Sequence, residues 1–348
     1  MGDSIGFRRL GRFIGVMVAV CSLSLSGCRL ARPGVGDTDS QQSEVRRSLT
    51  RRQGVDAILV LMPRARAAEE VLRGLSRELA TDYDLVRRYV DERVSPSQLD
   101  RIIKEVTPVA IVLMNNPTVR LYRRYQALKR RPSYPPAVGV LTSYLERTSV
   151  GIKDFSGIAY EVPLVTSLVN LRALVQQPIR RVGVLYRPQF EAFVKEQREL
   201  ARLEQFEVVG VQVVGTGPTE IQRGLSELNA ANVDAIWVLN DNPLLDNRTV
   251  RQGWIPELAR DWAPVVVNVS SLVSADFNFG TFAVVPDHRD LGLQTANLLL
   301  DLASRDWRVD ERRVELPVSV QTILAVNVAK RRLRLNKGEL ARVTRLVR

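Results

Sequence analysis

The chain has 348 residues, 45% hydrophobic and 25% charged, which is ordinary for a globular protein and long enough for two lobes with separate cores. Fifty Lys and Arg against 38 Asp and Glu leave a formal net charge of +12, so anionic partners are favoured over cationic ones. Two cysteines, Cys21 and Cys28, lie close together near the start, and removal of a leader containing the first excludes an internal disulfide.

Arg8, Arg9 and Arg12 precede an apolar run from Phe13 to Leu25, followed by Ser26, Gly27 and Cys28. A basic start, a short apolar run and small residues before a cut site make a secretory signal, too short for a permanent membrane span. Leu25-Ser26-Gly27-Cys28 also resembles the lipobox of bacterial lipoproteins, which implies cleavage before Cys28 and its acylation; a plain signal peptide with an incidental cysteine is the alternative. Arg29, rather than Asp, follows the cysteine. By resemblance to Gram-negative lipoproteins this favours the outer membrane. Removing residues 1–27 takes away three arginines and one aspartate, so the mature chain keeps +10. More than one acyl chain makes a stable anchor, and the protein is expected to be tethered to a bilayer through Cys28, facing the periplasm. Residues 28–53 lack apolar periodicity and read as a flexible tether. Its clusters Arg46-Arg47 and Arg51-Arg52 are either solvated linker charge or contacts to anionic head groups.

The first lobe opens on the apolar strand 55–62, and a helix over 67–80 follows with apolar residues at 68, 71, 72, 75 and 79. A weaker strand spans 83–90, and Ser95 is placed to cap a helix over 96–106. Strand 108–114 ends in Asn115-Asn116-Pro117 before a basic helix over 118–130. Strand 137–141 ends in Thr142-Ser143-Tyr144, and strand 157–160 leads into Pro163 and an apolar helix to Val175.

The second lobe is built on residues 182–243. Strand 182–186, a helix over 190–204, strand 207–214, a helix over 219–229 and strand 233–239 alternate as βαβ units of a parallel sheet do. In such sheets ligands sit beyond the carboxyl ends of the strands, where Asn240, Asp241 and Asn242 fall. Ala110 to Pro117 echoes Ala235 to Pro243, each the third strand of its half. A helix over 250–262, strand 264–268 with Ser270 beyond it, and strand 280–285 follow. Asp287 then caps a long helix to about Leu302. Residues 306–313 read as a loop, 314–320 and 323–326 as short extended pieces. The tail from Lys330 to Arg348, with eight basic residues against one acidic, reads as a solvated helix.

From Arg181 onward the chain resembles the substrate-binding proteins of bacterial ABC transporters with the type 1 periplasmic-binding-protein fold. The resemblance is carried by Val-Gly-Val-Leu-Tyr-Arg-Pro at 182–188, Asp-Ala-Ile-Trp-Val-Leu at 234–239, Pro286-Asp287 before a long helix, and 323–333 with its Asn and Ala-Lys. It covers about residues 136–340. The family's usual Tyr-Gly-Pro-Asp stands here as Val284-Val285-Pro286-Asp287. It implies an α/β fold of two doubly wound parallel-sheet lobes joined by a three-crossover hinge, with crossovers near 175–180, 273–282 and 306–318. Lobe 1 is then 54–176 plus about 282–305, and lobe 2 is 177–281 plus about 310–348. Hinge closure buries a small molecule between the lobes. The expected ligand contacts are Asn115, Asn116, Thr142, Ser143 and Tyr144 of lobe 1, with Tyr186, Arg187, Asn240, Asp241, Asn242, Asn268 and Ser270 of lobe 2. Asp287 marks the hinge. Amides and hydroxyls suit a polar or zwitterionic ligand, Arg187 suits a carboxylate, and Tyr144 and Tyr186 suit a planar group.

No catalytic constellation stands out. The single histidine, His288, opens a helix as a surface residue would, and no metal cluster, phosphate loop or nucleophile elbow is present in the sequence. No cofactor, metal or nucleic acid is expected as a partner. Two functions remain open. One is a solute carrier handing its ligand to an ABC permease. The other is a ligand-sensing or envelope-regulatory lipoprotein of the same fold, acting through a protein partner.

Overall fold

The computed structural model describes residues 54–131, 133–259, 263–273 and 279–348; the leader, Cys28, Arg29 and the tether lie outside the described residues. The chain runs β1 (Ala57–Met62), α1 (Arg66–Leu79), β2 (Asp84–Tyr89), α2 (Pro96–Val106), β3 (Ala110–Met114), α3 (Asn116–Lys129), β4 (Ala137–Val140) and β5 (Phe155–Ile158). It continues through α4 (Leu164–Leu174), β6 (Arg181–Tyr186), α5 (Glu191–Leu203), β7 (Glu207–Gln212), α6 (Pro218–Ala230), β8 (Ala235–Val238), β9 (Val265–Val267) and β10 (Phe282–Pro286). It ends with α7 (His288–Ala303), β11 (Val314–Glu315), β12 (Val320–Ala325), α8 (Val326–Arg332) and β13 (Arg345–Val347).

Two sheets form, ordered β11-β5-β4-β3-β1-β2 and β13-β12-β10-β9-β8-β6-β7. In each, the first strand of the half sits between the second and the third: Val60 pairs Arg87 and Val112, and Val184 pairs Gly210 and Trp237. This is the doubly wound order, and the echo between 110–117 and 235–243 corresponds to equivalent third strands. Central parallel strands are covered on both faces, which is why β1 and β3 are unbroken apolar runs with every residue buried. Alternate residues of β1 serve opposite faces. Leu59 and Leu61 join α2 and α3, whereas Ile58, Val60 and Met62 join α1 and α7. The second sheet is covered by α4 and α5 on one face and by α6 with an irregular helical stretch (247–258) on the other.

Local chemistry sets the helix starts. Ser95 Oγ accepts from Gln98 N (3.2 Å) while Gln98 Oε1 accepts from Ser95 N (2.7 Å), a reciprocal cap that fixes the start of α2. Asp287 accepts from the amides of Arg289 (2.9 Å) and Asp290 (3.2 Å) and so starts α7. Among the described residues no helix is long and apolar enough to cross a membrane.

The strand assignments correct the expected lobe boundaries. β10 was expected in lobe 1, but it pairs with β9 and β12 of the second sheet. All five of its residues are buried, Phe282 and Val284 in the core on one face of that sheet and Ala283 and Val285 in the core on the other. The chain crosses only after Pro286, the last residue of β10. The helix α4 also belongs to lobe 2, since Leu164, Leu168, Leu171 and Leu174 pack with Val182, Val184 and Phe282. The first crossover is therefore near 159–163 rather than 175–180. β11 pairs with β5 in the first sheet and β12 with β10 in the second, so the third crossover is 316–319. The basic tail is not a solvated helix. After α8 it makes a 3-10 turn and ends as β13, parallel to β12 at the sheet edge.

Candidate functional site

The opposed carboxyl ends of the two sheets define the site. At the end of β4 the chain turns through two left-handed residues, Leu141 (φ 54°) and Tyr144 (φ 52°). Such backbone costs on the order of 1–3 kcal/mol per residue and is kept only where neighbours over-determine it. Here the buried Thr142 donates Oγ1 to Val140 O (3.2 Å). Both Glu161 carboxylate oxygens accept from Tyr144 N, at 3.0 and 2.9 Å. The turn projects Tyr144 across the seam. Its ring centroid lies 4.9 Å from that of Phe190 and 5.3 Å from that of Phe193, the latter edge-on at 88°. Burial, with the charges of Glu161 and Asp241 adding to it, holds the Tyr144 hydroxyl well above its usual range. Tyr144 is neutral at any physiological pH.

One residue earlier, Ser143 Oγ accepts from Asn240 Nδ2 at 2.8 Å, a direct bond between strand ends of the two lobes. Ser143 is itself fixed by Asn116, whose Nδ2 donates to Ser143 O (2.9 Å) and whose Oδ1 accepts from Ser143 N (3.0 Å). Asn115 is committed to the start of α3, its Oδ1 accepting from Thr118 N at 3.0 Å. Across the seam, Arg187 grips Asp241 in a two-pronged fork, Nε to Oδ2 and Nη2 to Oδ1, both 2.6 Å. The donors assigned from sequence to a ligand carboxylate are thus filled by a carboxylate of the same lobe. Tyr186 lies over Gly210 of β7 and donates its hydroxyl to Glu191 (2.7 Å). Asn242 is exposed at the start of a 3-10 turn, and Ser270 starts another after β9. Asn268 is buried and its Oδ1 has no hydrogen bond.

The structure therefore brings Asn116, Ser143, Tyr144 and Asn240 together, and pairs Arg187 with Asp241. It gives Asn115, Thr142 and Tyr186 structural partners instead. Beside Tyr144 a cavity of about 250 Å³ runs along the seam between the lobes, lined by Tyr144, Glu161, Pro163, Phe193, Gln197 and Leu316. Of these only Tyr144 stood out in the sequence. The available signal was Glu161, the only acidic residue between Asp154 and Glu191.

Glu161 is 9% exposed. Burial raises its carboxyl, the Tyr144 amide holds it back, and the balance leaves it pushed up to about 7. Because this folded value lies above the ordinary one, the folded state binds the proton more tightly between about pH 4.5 and 7. Stability from this group is present below that window and is lost as pH rises through it, by up to about 3 kcal/mol. Glu161→Gln should flatten that part of the stability–pH curve, measured by urea unfolding from pH 4.5 to 8. An unchanged curve would mean that Glu161 does not titrate in this window.

The hinge lies next to this cavity. Asp287 N donates to Ser319 O (3.0 Å), and Gln321 Nε2 donates to Asp287 Oδ2 (2.6 Å), so the second and third crossovers are tied. Burial opposes ionisation of Asp287, but the bonds from Gln321, Asp290 and Arg289 outweigh it and lower its carboxyl. His288 is not a free surface residue. Its Nδ1 donates to Glu70 (3.1 Å), and its Nε2 is hydrogen-bonded with the Tyr160 hydroxyl (3.3 Å) in the first crossover.

No family model matches the sequence, and a comparison with curated proteins finds no match. Solved structures do match. A ligand-free, open substrate-binding protein with adhesive properties from Clostridium difficile is 14% identical, covering 84% of this chain and 99% of its own, with a TM-score of 0.64. A Streptococcus pneumoniae ABC domain in complex with L-Trp is 15% identical over 84% of this chain and all of its own, TM-score 0.52. An arabinose-binding protein from Geobacillus stearothermophilus is 12% identical over 79% and 99%, TM-score 0.51. The chain has the type 1 periplasmic-binding-protein fold, two doubly wound lobes joined by three crossovers.

Proposed function

We propose that the chain is a membrane-tethered, extracytoplasmic solute-binding lipoprotein that captures a small polar or zwitterionic molecule between its lobes for an ABC importer. The observation that carries this reading is the Asn240–Ser143 bond, which joins the carboxyl ends of opposed sheets where doubly wound folds bind ligands. The similar solved structures, a substrate-binding protein, an L-Trp complex and an arabinose-binding protein, support it. Asn116, Ser143, Tyr144, Asn240 and Asn268 are the contacts we assign to the ligand, with Asn115, Thr142, Tyr186, Arg187, Asp241, Asn242 and Ser270 shaping the strand ends around it. Asp287 is assigned to the hinge, and Cys28 to the lipid anchor.

The test is a thermal-shift screen of the chain against amino acids, sugars, nucleobases and anions. A ligand present at about 100 times its dissociation constant adds ~2.7 kcal/mol to the folded state, a visible rise in melting temperature. One class should give a saturable shift that Asn240→Ala weakens. A silent panel would sink the carrier reading. The anchor is tested separately: Cys28→Ala should move the protein from the membrane pellet to the soluble fraction, and continued sedimentation would refute lipidation at Cys28.

A second reading, an envelope-regulatory lipoprotein that acts through a protein partner, draws on a different observation. Tyr144 already occupies the aromatic surface of Phe190 and Phe193, and Arg187 is neutralised by Asp241 within one lobe. A site filled by its own side chains suits a protein whose lobe arrangement is read by a partner.

A further inference from the structure

The seam cavity beside Tyr144 has a charge pattern of its own. Its buried end holds one ionisable carboxylate, Glu161, whose oxygens both accept from the Tyr144 amide, so its hydrogen bonds come from neutral backbone and bring no positive charge. No ion pair with Glu161 occurs among the described residues. A buried carboxylate without a counter-ion is costly; a proton relieves that cost at low pH, and above the raised titration range of Glu161 a bound cation would do so. The wall beside it is aromatic, formed by Tyr144 and Phe193, whose rings stand edge-on to each other. Ring faces attract cations and not anions.

The mouth has the same bias. Glu146 and Glu196 line it with one cation, Arg147, and all three are exposed. The Arg147 guanidinium lies 5.0 Å above the Phe190 ring and 6.0 Å from that of Tyr144, so it is held on ring faces. Gln197, also lining the cavity, has its Oε1 taken by Leu164 N at 2.8 Å. Its amide nitrogen adds a neutral donor and no positive charge.

We propose that this cavity takes a small organic cation, a primary or substituted ammonium, with Glu161 as its counter-ion and Tyr144 and Phe193 as its aromatic wall. This deepens the solute-binding reading, on which it rests, by giving the interlobe ligand a positively charged group and a place for it. The ligand's amine sits against Glu161 at the inner end. Its apolar body lies along Phe193, Pro163 and Leu316.

The test compares benzylamine with its neutral and anionic counterparts, benzyl alcohol and benzoate, by calorimetric titration of the full chain in detergent at pH 8. Benzylamine should bind saturably, and Glu161→Gln should weaken it about 30-fold or more, the usual effect of removing one partner of a buried charge pair. Phe193→Leu, which keeps apolar bulk without the ring face, should also weaken benzylamine while leaving the melting temperature of the free chain close to that of the wild type. Benzyl alcohol or benzoate binding as tightly as benzylamine would overturn the proposal, as would unchanged affinity in Glu161→Gln. If benzylamine fails but a sugar, neutral amide or anion from the wider panel binds with dependence on Asn240, the cation inference falls and the solute-binding reading stands. If nothing in either set binds, both fall.

Discussion

Arg187→Ala is expected to destabilise the chain by about 3–5 kcal/mol, because it strips the counter-ion from a carboxylate that has almost no access to water. The Asp241 side chain is 3% exposed and that of Arg187 20%. Both Asp241 oxygens are held by the fork at 2.6 Å. Losing the guanidinium leaves an uncompensated buried charge, and that penalty, not the modest net strength of the pair, sets the size of the effect. The double variant Arg187→Met with Asp241→Leu should therefore be far closer to wild type than Arg187→Ala alone. Urea unfolding midpoints at constant slope measure this. A loss below about 1 kcal/mol in the single variant would mean that the pair behaves as a solvated surface contact. The same experiment bears on function, since a fork committed to Asp241 is not open to a ligand carboxylate.

The contrast between what the sequence disclosed and what it hid follows from range. Strand and helix positions are local properties, and continuous apolar runs such as 57–62 and 110–114 disclosed a parallel sheet without any knowledge of its neighbours. Caps at Ser95 and Asp287 were equally legible, because the bonds they make span two or three residues. Sheet membership was not. Whether β10 joins the first or the second sheet depends on partners about 16 and 40 residues away, Val266 and Leu324, and nothing in Phe282–Pro286 itself distinguishes them. The site shows the same limit. Polar residues at strand ends were identifiable one by one, but which of them bond to one another was not. Arg187 and Asp241 are far apart in sequence, and so are Ser143 and Asn240. Glu161 was hidden for another reason. A lone acid before a proline reads as an exposed turn residue, and only the left-handed backbone at Tyr144 bends the chain so that its amide reaches that carboxylate.

The close approach of α1 and α7 carries the second large effect. A methyl group added at Gly292 would stand 2.2 Å from Val71 O and 2.8 Å from Leu75 N; one added at Gly74 would stand 2.0 Å from Arg289 O. These obstacles are backbone atoms of the facing helix, which no rotamer change can remove. Gly292→Ala must push the helices apart, and it forfeits the packing of Val71, Leu75 and Leu291 in the same core. Alanine returns about 1 kcal/mol in helix propensity, while overpacking costs typically 1–3 kcal/mol and more where backbone blocks relaxation. We expect a net loss of about 2–4 kcal/mol by urea unfolding. Gly338→Ala, where the nearest atom to the added methyl is Asn336 Oδ1 at an ordinary 3.7 Å, should be close to neutral and serves as the control. One separation of the helices accommodates both new methyls, so the Gly74→Ala/Gly292→Ala double variant should cost clearly less than the two singles together. Strict additivity would show that each glycine is confined by its own surroundings instead of by a shared helix contact. Because α7 starts at Asp287, whose cap also grips Gln321 of the third crossover's far side, a displaced α7 pulls on the hinge. Any ligand affinity should therefore fall in Gly292→Ala beyond what lost stability explains, measured under conditions where the chain remains fully folded.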